Sequence, residues 1–271
     1  NYLYAHGLAE SYKQAYWYSK TTPHGTMHDP YLYDGRLFSF DFPDATERFW
    51  RMNFTQTSLA QANEIEALRS TYDQARTRLA DQGLIDQDFV LMGMSRGATT
   101  ILNFMSIYKP EKVKAIIVES PFDSTRAVAK NMLSKIWLDN IIGMQTLAHA
   151  LVGLAFWQYS TDGIHAIEVV EYISKDLPIL LIASNQDALV PVHSTIALYN
   201  KIKQSGHTKV HIYVADLGRH GRFLRHENGR NYQNVVQAFY RTYGLPHDAA
   251  LADLGQDLFD GCQFDTFKDI Q

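Results

Sequence analysis

A serine lies between two glycines in the segment Gly93-Met94-Ser95-Arg96-Gly97. A short apolar run, residues 89–92, precedes it, and an amphipathic stretch, residues 96–108, follows it directly. This is the G-x-S-x-G pattern in a strand–turn–helix setting, where only glycine avoids crowding the neighbouring strand and helix. Such a turn exposes the Ser95 hydroxyl at a helix N-terminus, where free N–H groups favour developing negative charge. The pattern therefore predicts that Ser95 is a nucleophile.

The elements around this motif alternate between strands and helices. Six short apolar runs are typical of strands buried on both faces of a parallel sheet, namely residues 2–5, 37–41, 89–92, 113–118, 179–183 and 210–214. Helical patterns lie between them over residues 58–82, 96–108 and 231–243. This alternation predicts an α/β fold with a doubly wound, mostly parallel sheet.

With the serine turn in this setting, the sequence resembles the α/β-hydrolase superfamily over nearly its whole length. In that family an acid follows a later strand than the nucleophile does, and a histidine follows the last strand. The resemblance implies an enzyme, a serine hydrolase whose catalytic triad appears in the order Ser, acid, His.

The resemblance assigns the acid to Asp187, four residues after the strand at 179–183. Two rivals, Glu119 and Asp123, come at and just after the end of the strand at 113–118. They stay open because some family members carry the acid after that earlier strand.

The loop after the last strand, 210–214, contains His220 and resembles the family's histidine loop. His220 is preferred as the base over His226, which lies six residues further on. In this assignment His220 takes the proton of Ser95, and Asp187 holds its imidazole in the correct tautomer.

An oxyanion hole needs two N–H donors. One is expected from the backbone of Arg96, the residue after the nucleophile. The other is expected from the backbone of Leu8, because the loop His6-Gly7-Leu8 after the first strand resembles the family's His-Gly loop.

Residues 125–174 show no obvious strand and are apolar and aromatic, which predicts a helical lid inserted between strands of a hydrolase domain at 1–246. Trp137, Phe156 and Trp157 in this lid are candidate substrate-binding residues, with simple core packing as the alternative. The segment 247–271 holds six aspartates and one lysine, so it is predicted as an acidic C-terminal tail.

This segment has a net charge of −5 and the rest of the chain has +1, which together give the overall charge of −4. The chain has no excess of basic residues, so no nucleic-acid partner is predicted. The apolar stretch at 141–157 is too short and too interrupted for a stable transmembrane segment. No nucleotide-binding motif and no metal-ligand cluster is present, so no cofactor and no metal is predicted. Nothing indicates export, which favours a cytoplasmic location, and a signal removed ahead of Asn1 stays open.

The predicted substrate is a small-molecule ester or acyl compound, cleaved as a carboxylic ester or thioester through an acyl-enzyme on Ser95. Two alternatives remain: a serine peptidase or amidase of the same fold, and a hydrolase-fold protein that binds a ligand or partner with little turnover. The sequence leaves the oligomeric state open.

Overall fold

The computed structural model describes residues 1–7, 10–19, 31–43, 59–125, 128, 131, 163–226 and 229–264. Within these residues six parallel strands form one sheet in the order β2-β1-β3-β4-β5-β6. The strands are β1 (Tyr2–Ala5), β2 (Leu37–Ser39), β3 (Phe89–Met94), β4 (Val113–Glu119), β5 (Ile179–Ser184) and β6 (Val210–Ala215). The α/β fold and the parallel sheet predicted from the apolar runs are confirmed.

The central strands are apolar throughout because both faces of the sheet are covered. Side chains alternate between two cores along each strand, so Leu91 and Ile116 pack on one side, and Met92 and Ile117 on the other. Tyr4 joins the second of these cores, which is rich in tyrosine.

Six α-helices occur in the described residues: α1 (Ala62–Asp81), α2 (Arg96–Tyr108), α3 (Ala166–Val169), α4 (Val192–Gln204), α5 (Gly229–Thr242) and α6 (Ala249–Asp260). Helices α1, α2 and α4 contribute to the core on one face of the sheet. Helix α5 and the 3₁₀ helix Tyr12–Tyr18 contribute to the core on the other face. Helix α2 has the predicted bounds, and α1 is capped at Gln61, whereas the predicted start at Ser58 lies outside the described residues.

The segment predicted as an acidic tail contains helix α6, which packs closely on α5. A Cβ atom at Gly255 would lie 2.1 Å from the carbonyl oxygen of Asn234, so glycine permits this approach. Beyond the helix, the amide of Ile212 on β6 donates a hydrogen bond to the carbonyl of Cys262 at 2.8 Å. The segment therefore covers the open edge of β6, which protects an otherwise unpaired strand. The division of the chain at residue 246 stays a prediction.

The carboxyl ends of the parallel strands all lie at one edge of the sheet, where the loops after β1, β3, β4, β5 and β6 come together. The strand order reverses between β1 and β3, and such a switch point is the usual ligand-binding crevice of an open α/β sheet. This crevice lies between the loop that begins at His6 and the turn that holds Ser95.

Most of the predicted lid, including residues 132–162, lies outside the described residues. The apolar stretch at 141–157 is part of it. In the ranges that the structure describes, no helix is long and apolar enough to cross a membrane.

Candidate active site

Ser95 connects β3 to α2 through a strained turn. Its φ is 54° and its ψ is −117°, a conformation that L-residues rarely adopt. The amide of Ser95 donates a hydrogen bond to the carbonyl of Glu119 on the neighbouring strand at 2.8 Å, which holds the turn in place.

The two flanking positions have no room for a side chain. A Cβ atom at Gly97 would lie 2.1 Å from the carbonyl oxygen of Ala5, and one at Gly93 would lie 2.8 Å from the carbonyl carbon of Gly97. Both contacts are with backbone atoms, which cannot move aside. The serine can therefore reach this turn only between two glycines.

Helix α2 begins at Arg96, directly after the serine. The N–H groups in the first turn of a helix have no partner within the helix, so this end of α2 offers donors beside the Ser95 side chain. The other expected donor, Leu8, lies outside the described residues. The amide of Gly7, one residue earlier, donates to Gln14 Oε1 at 3.0 Å.

Asp187 lies in the loop after β5 and accepts four hydrogen bonds. Its Oδ1 accepts from the amides of Leu189 and Val190, both at 2.9 Å. Its Oδ2 accepts from Ser120 Oγ at 2.7 Å and lies 2.7 Å from His220 Nδ1. Burial by itself would raise the pKa of Asp187, but the hydrogen bonds from His220 and Ser120, with the charge of His220, bring that pKa below its ordinary value.

His220 lies in the loop after β6, and two contacts hold this loop. Ser184 Oγ donates to the carbonyl of Gly218 at 2.8 Å, which ties the loop to the end of β5. A Cβ atom at Gly221 would lie 2.9 Å from the terminal carbon of Met94, the residue before Ser95. The histidine loop therefore packs against the serine turn.

The contact with Asp187 assigns the proton on the neutral imidazole. Because Asp187 accepts from Nδ1, the lone pair is on Nε2, the nitrogen that can receive a proton. In the described part of the chain no hydrogen bond joins Ser95 to His220. Such contacts in hydrolases often form only when substrate is bound.

The rival acids occupy other places. Asp123 Oδ1 accepts from Ser194 Oγ at 2.6 Å, and Glu119 is buried against Tyr18 on the face of the sheet that α5 covers. The rival base, His226, follows the 3₁₀ helix Phe223–Arg225. Of the predicted residues, the structure brings His220 and Asp187 into hydrogen-bond contact.

The side chain of Arg96 points into the protein and supports the loop after β1. It is 1% exposed, lies 3.8 Å from Glu64 Oε1 and donates to the carbonyl of Gly7 at 3.3 Å. Its guanidinium also stacks on Phe42, 4.6 Å from the ring centroid. Burial of the His6 ring, and secondly the charge of Arg96, lower the pKa of His6 to about 3. His6 is therefore neutral and holds the loop, with its Nδ1 2.8 Å from the carbonyl of Gly7.

Sequence reasoning missed Ser120, Gln14 and Glu64. Ser120 carried a usable signal, because it follows the end of β4 next to the strand that carries Asp187. Glu64 carried none, since a glutamate in the first turn of an amphipathic helix ordinarily faces solvent. The predicted substrate-binding residues Trp137, Phe156 and Trp157 lie outside the described residues.

The fold is similar to those of several solved structures. The structure is similar to an esterase from Pyrococcus furiosus, with a TM-score of 0.60 and 16% identity over 89% of this chain and 81% of that one. It is equally similar to an acylaminoacyl peptidase from Pyrococcus horikoshii, with a TM-score of 0.60 and 14% identity over 90% of this chain but 36% of that one. A lipase-esterase related protein from Clostridium acetobutylicum has a TM-score of 0.54 and 14% identity over 88% of this chain and 93% of that one.

No curated protein matches the sequence significantly. The sequence pattern of the prolyl oligopeptidase family matches residues 72–244, which is more than half of the chain. This range contains Ser95, Asp187 and His220. The chain therefore belongs to the prolyl oligopeptidase family within the α/β-hydrolase superfamily, and it is a serine hydrolase.

Proposed function

We propose that this protein cleaves carboxylic ester or thioester bonds through an acyl-enzyme on Ser95, with His220 as the base and Asp187 as the triad acid. The observation that carries the proposal is the 2.7 Å contact between His220 Nδ1 and Asp187 Oδ2, in a loop that packs against the residue before Ser95. Serine, base and orienting acid in this relation form the constellation that activates a hydroxyl for acyl transfer.

In the first step Ser95 Oγ attacks the acyl carbon, and His220 Nε2 takes the hydroxyl proton. Asp187 keeps the Nδ1 proton in place and stabilises the imidazolium that forms. His220 then gives its proton to the leaving alcohol or thiol as the bond to the acyl carbon breaks. Water, deprotonated by the same histidine, releases the acyl group from Ser95.

The tetrahedral intermediate places negative charge on the acyl oxygen. The backbone N–H of Arg96, at the start of α2, is proposed as one donor to this oxygen, and the N–H of Leu8 as the other. The buried contacts of Arg96 with Glu64 and Gly7 support the position of both donors, because they join the start of α2 to the loop after β1.

The ester preference is supported by the similarity to esterases, which extends over 81% and 93% of two of them. The predicted lid, residues 125–174 with Trp137, Phe156 and Trp157, would then cover an acyl or aromatic group. The competing function is that of a serine peptidase or amidase. It is favoured by the family match and by the similarity to an acylaminoacyl peptidase.

Labelling with a fluorophosphonate tests whether Ser95 is a nucleophile at all. We expect stoichiometric labelling of the wild type and none of Ser95→Ala, with both proteins folded by circular dichroism. If the wild-type protein is not labelled, the remaining hypothesis is a hydrolase-fold protein that binds a ligand or partner with little turnover.

A substrate panel then separates ester from amide chemistry. We expect short and medium p-nitrophenyl esters and acyl thioesters to have higher kcat/KM than aminoacyl p-nitroanilides. Equal or higher kcat/KM on the anilides would replace the esterase assignment with the peptidase one. Loss of all three activities in Ser95→Ala shows that one site is being measured.

A further inference from the structure

Glu119 is a carboxyl group at a place in the sheet where an apolar side chain is expected. Ala115 and Ile117 precede it on the same face of β4, and both belong to the core under α5. Glu119 continues this row and is 2% exposed. Burying a carboxyl group among apolar neighbours is unfavourable, so its presence directly behind the serine turn calls for a role.

The carboxyl group is incompletely hydrogen-bonded. Its Oε2 accepts from the hydroxyl of Tyr18 at 3.2 Å, while its Oε1 has no partner among the described residues. The hydroxyl of Tyr232 also acts as a donor toward the carboxyl group and lowers its pKa, and Tyr4 packs on Tyr18 with ring centroids 5.2 Å apart. The pKa values of these three tyrosines are raised well above the ordinary value, mainly by burial, so their hydroxyls stay neutral.

The groups that face Glu119 come from five elements of the fold: Tyr4 on β1, Tyr18 on the first 3₁₀ helix, Tyr232 on α5, His220 in the loop after β6, and Asp187 in the loop after β5. In this described set, His220 is the one group that can become a cation. Burial raises the pKa of Glu119 to about 7, while His220 and the hydroxyls of Tyr232 and Tyr18 lower it and the charge of Asp187 raises it further.

The interaction between Glu119 and His220 must be reciprocal. If the positive charge of His220 stabilises the Glu119 carboxylate, the carboxylate stabilises the positive charge of His220 by the same free energy. An imidazolium forms when His220 takes the proton of Ser95, so this free energy lowers the barrier of the acyl-transfer step. The backbone of Glu119 is also connected to the site, because its carbonyl accepts the amide of Ser95 at 2.8 Å.

We propose that Glu119 in its ionised form is a positioning residue of the active site, a second buried carboxylate that stabilises the imidazolium of His220 and makes the reactivity of Ser95 depend on its ionisation. The proposal rests on the function proposed above, since it needs His220 to act as the base of Ser95. It differs from the role of a triad acid, because the hydrogen bond from Nδ1 is accepted by Asp187.

The test compares the wild type with Glu119→Gln in labelling by a fluorophosphonate between pH 5 and pH 9. In this reaction the bond from Ser95 Oγ to phosphorus forms, fluoride leaves and the proton goes to His220, so no natural substrate is needed. At pH 8.5 we expect the second-order rate constant of the variant to be about tenfold lower. Below pH 6 the two rate constants should converge, because Glu119 is then protonated and glutamine has the same shape and charge.

A structural role for Glu119 predicts a different result, namely the same fractional loss at every pH. That outcome, or equal rates throughout, overturns the proposal while labelling of Ser95 still supports the proposed function. Failure of the wild type to label overturns both. Glu66→Gln is the matched control, since its side chain is 57% exposed on α1 and should change the rate at no pH. An equal loss in Glu66→Gln would assign the effect to net charge and overturn the proposal.

Tyr18→Phe provides a second test that leaves Glu119 in place. It removes the hydroxyl that donates to Oε2, so the carboxylate is less stable and ionises at a higher pH. The pH below which the labelling rate falls should then increase by about one unit. If the labelling rate of a folded Tyr18→Phe protein depends on pH as that of the wild type does, the proposal is contradicted.

Discussion

Asp187 and Glu119 are two buried carboxyl groups at the same edge of the sheet, and their pKa values shift in opposite directions. Asp187 accepts four hydrogen bonds, two from amides, one from a serine and one from His220. Among the described residues, the donors that face Glu119 are the hydroxyls of Tyr18 and Tyr232, and its Oε1 has no hydrogen-bond partner there. Desolvation prevails at Glu119, whereas at Asp187 the hydrogen bonds and the charge of His220 outweigh it.

A third buried carboxyl group extends this comparison. Glu64 on α1 is fully buried, and its Oε1 lies 3.8 Å from the guanidinium of Arg96 and accepts the amide of Leu59 at 3.1 Å. Its partner is a permanent cation, whereas the described groups that face Glu119 include no arginine or lysine. Asp187 is thus stabilised by several hydrogen-bond donors and Glu64 by a permanent cation, whereas Glu119 has fewer donors and, among the described residues, no such cation.

Replacing the saturated carboxyl should abolish most activity. Asp187→Asn presents an amide to Nδ1, which favours the wrong tautomer of His220, so kcat for p-nitrophenyl acetate should fall by about 10⁴. Asp123→Asn, at the rival acid, should remain close to the wild type because Asp123 is hydrogen-bonded to Ser194 and not to His220. A large loss in the control and a small one in Asp187→Asn would show that the wrong acid had been assigned.

Replacing the paired carboxyl should destabilise the fold. Glu64→Gln removes the carboxylate beside the buried charge of Arg96, and we expect the free energy of unfolding in urea at pH 7.5 to drop by about 3–5 kcal/mol. Glu66→Gln is the control two residues further along α1, where the ion pair with Arg69 is exposed. A control effect within about 0.5 kcal/mol is expected there. Equal small effects at both positions would mean that the buried pair contributes little.

Replacing the unsaturated carboxyl should stabilise the fold. The pKa of Glu119 is about 7 in the folded protein against an ordinary 4.5, so the folded state binds more protons between these values and stability falls as pH rises. Glu119→Gln removes this loss, and its free energy of unfolding should exceed that of the wild type by about 3 kcal/mol at pH 8. At pH 4 the two proteins should be nearly equal. A variant that is less stable than the wild type at pH 8 would contradict the raised pKa.

Removing one donor from Asp187 should have the smallest effect. Ser120→Ala deletes the 2.7 Å hydrogen bond to Oδ2, which raises the pKa of Asp187 and should lower kcat/KM on p-nitrophenyl acetate about three- to tenfold. Ser120 also has a φ of 48°, which glycine adopts readily. Ser120→Gly should therefore match Ser120→Ala in kcat/KM and exceed it in stability by about 1 kcal/mol. If only the alanine variant loses activity, strain rather than the hydroxyl is responsible.

Much of the architecture could be predicted from local sequence. The strands at 89–92 and 179–183 were recognised because strands buried on both faces are apolar throughout, and their observed bounds, Phe89–Met94 and Ile179–Ser184, extend the runs slightly. The extensions contain Met94 and Ser184, the residues that begin the functional loops. The acidic segment from residue 247 was harder to interpret, because the aspartates of α6 at 253, 257 and 260 are exposed. The side of the helix that packs on α5 has only three buried residues, Ala252, Gly255 and Phe259.

The serine turn was determined by the sequence itself, because its glycines are required by backbone contacts within one strand–turn–helix unit. Our proposal of Asp187 over its rivals as the acid rests on the tertiary structure, since a hydrogen bond to His220 depends on how loops from separate strands meet. The same holds for the pKa shifts of Asp187 and Glu119. A pKa depends on burial and on hydrogen-bond donors that are distant in sequence. Tyr18, which donates to Glu119, is more than 100 residues away from it.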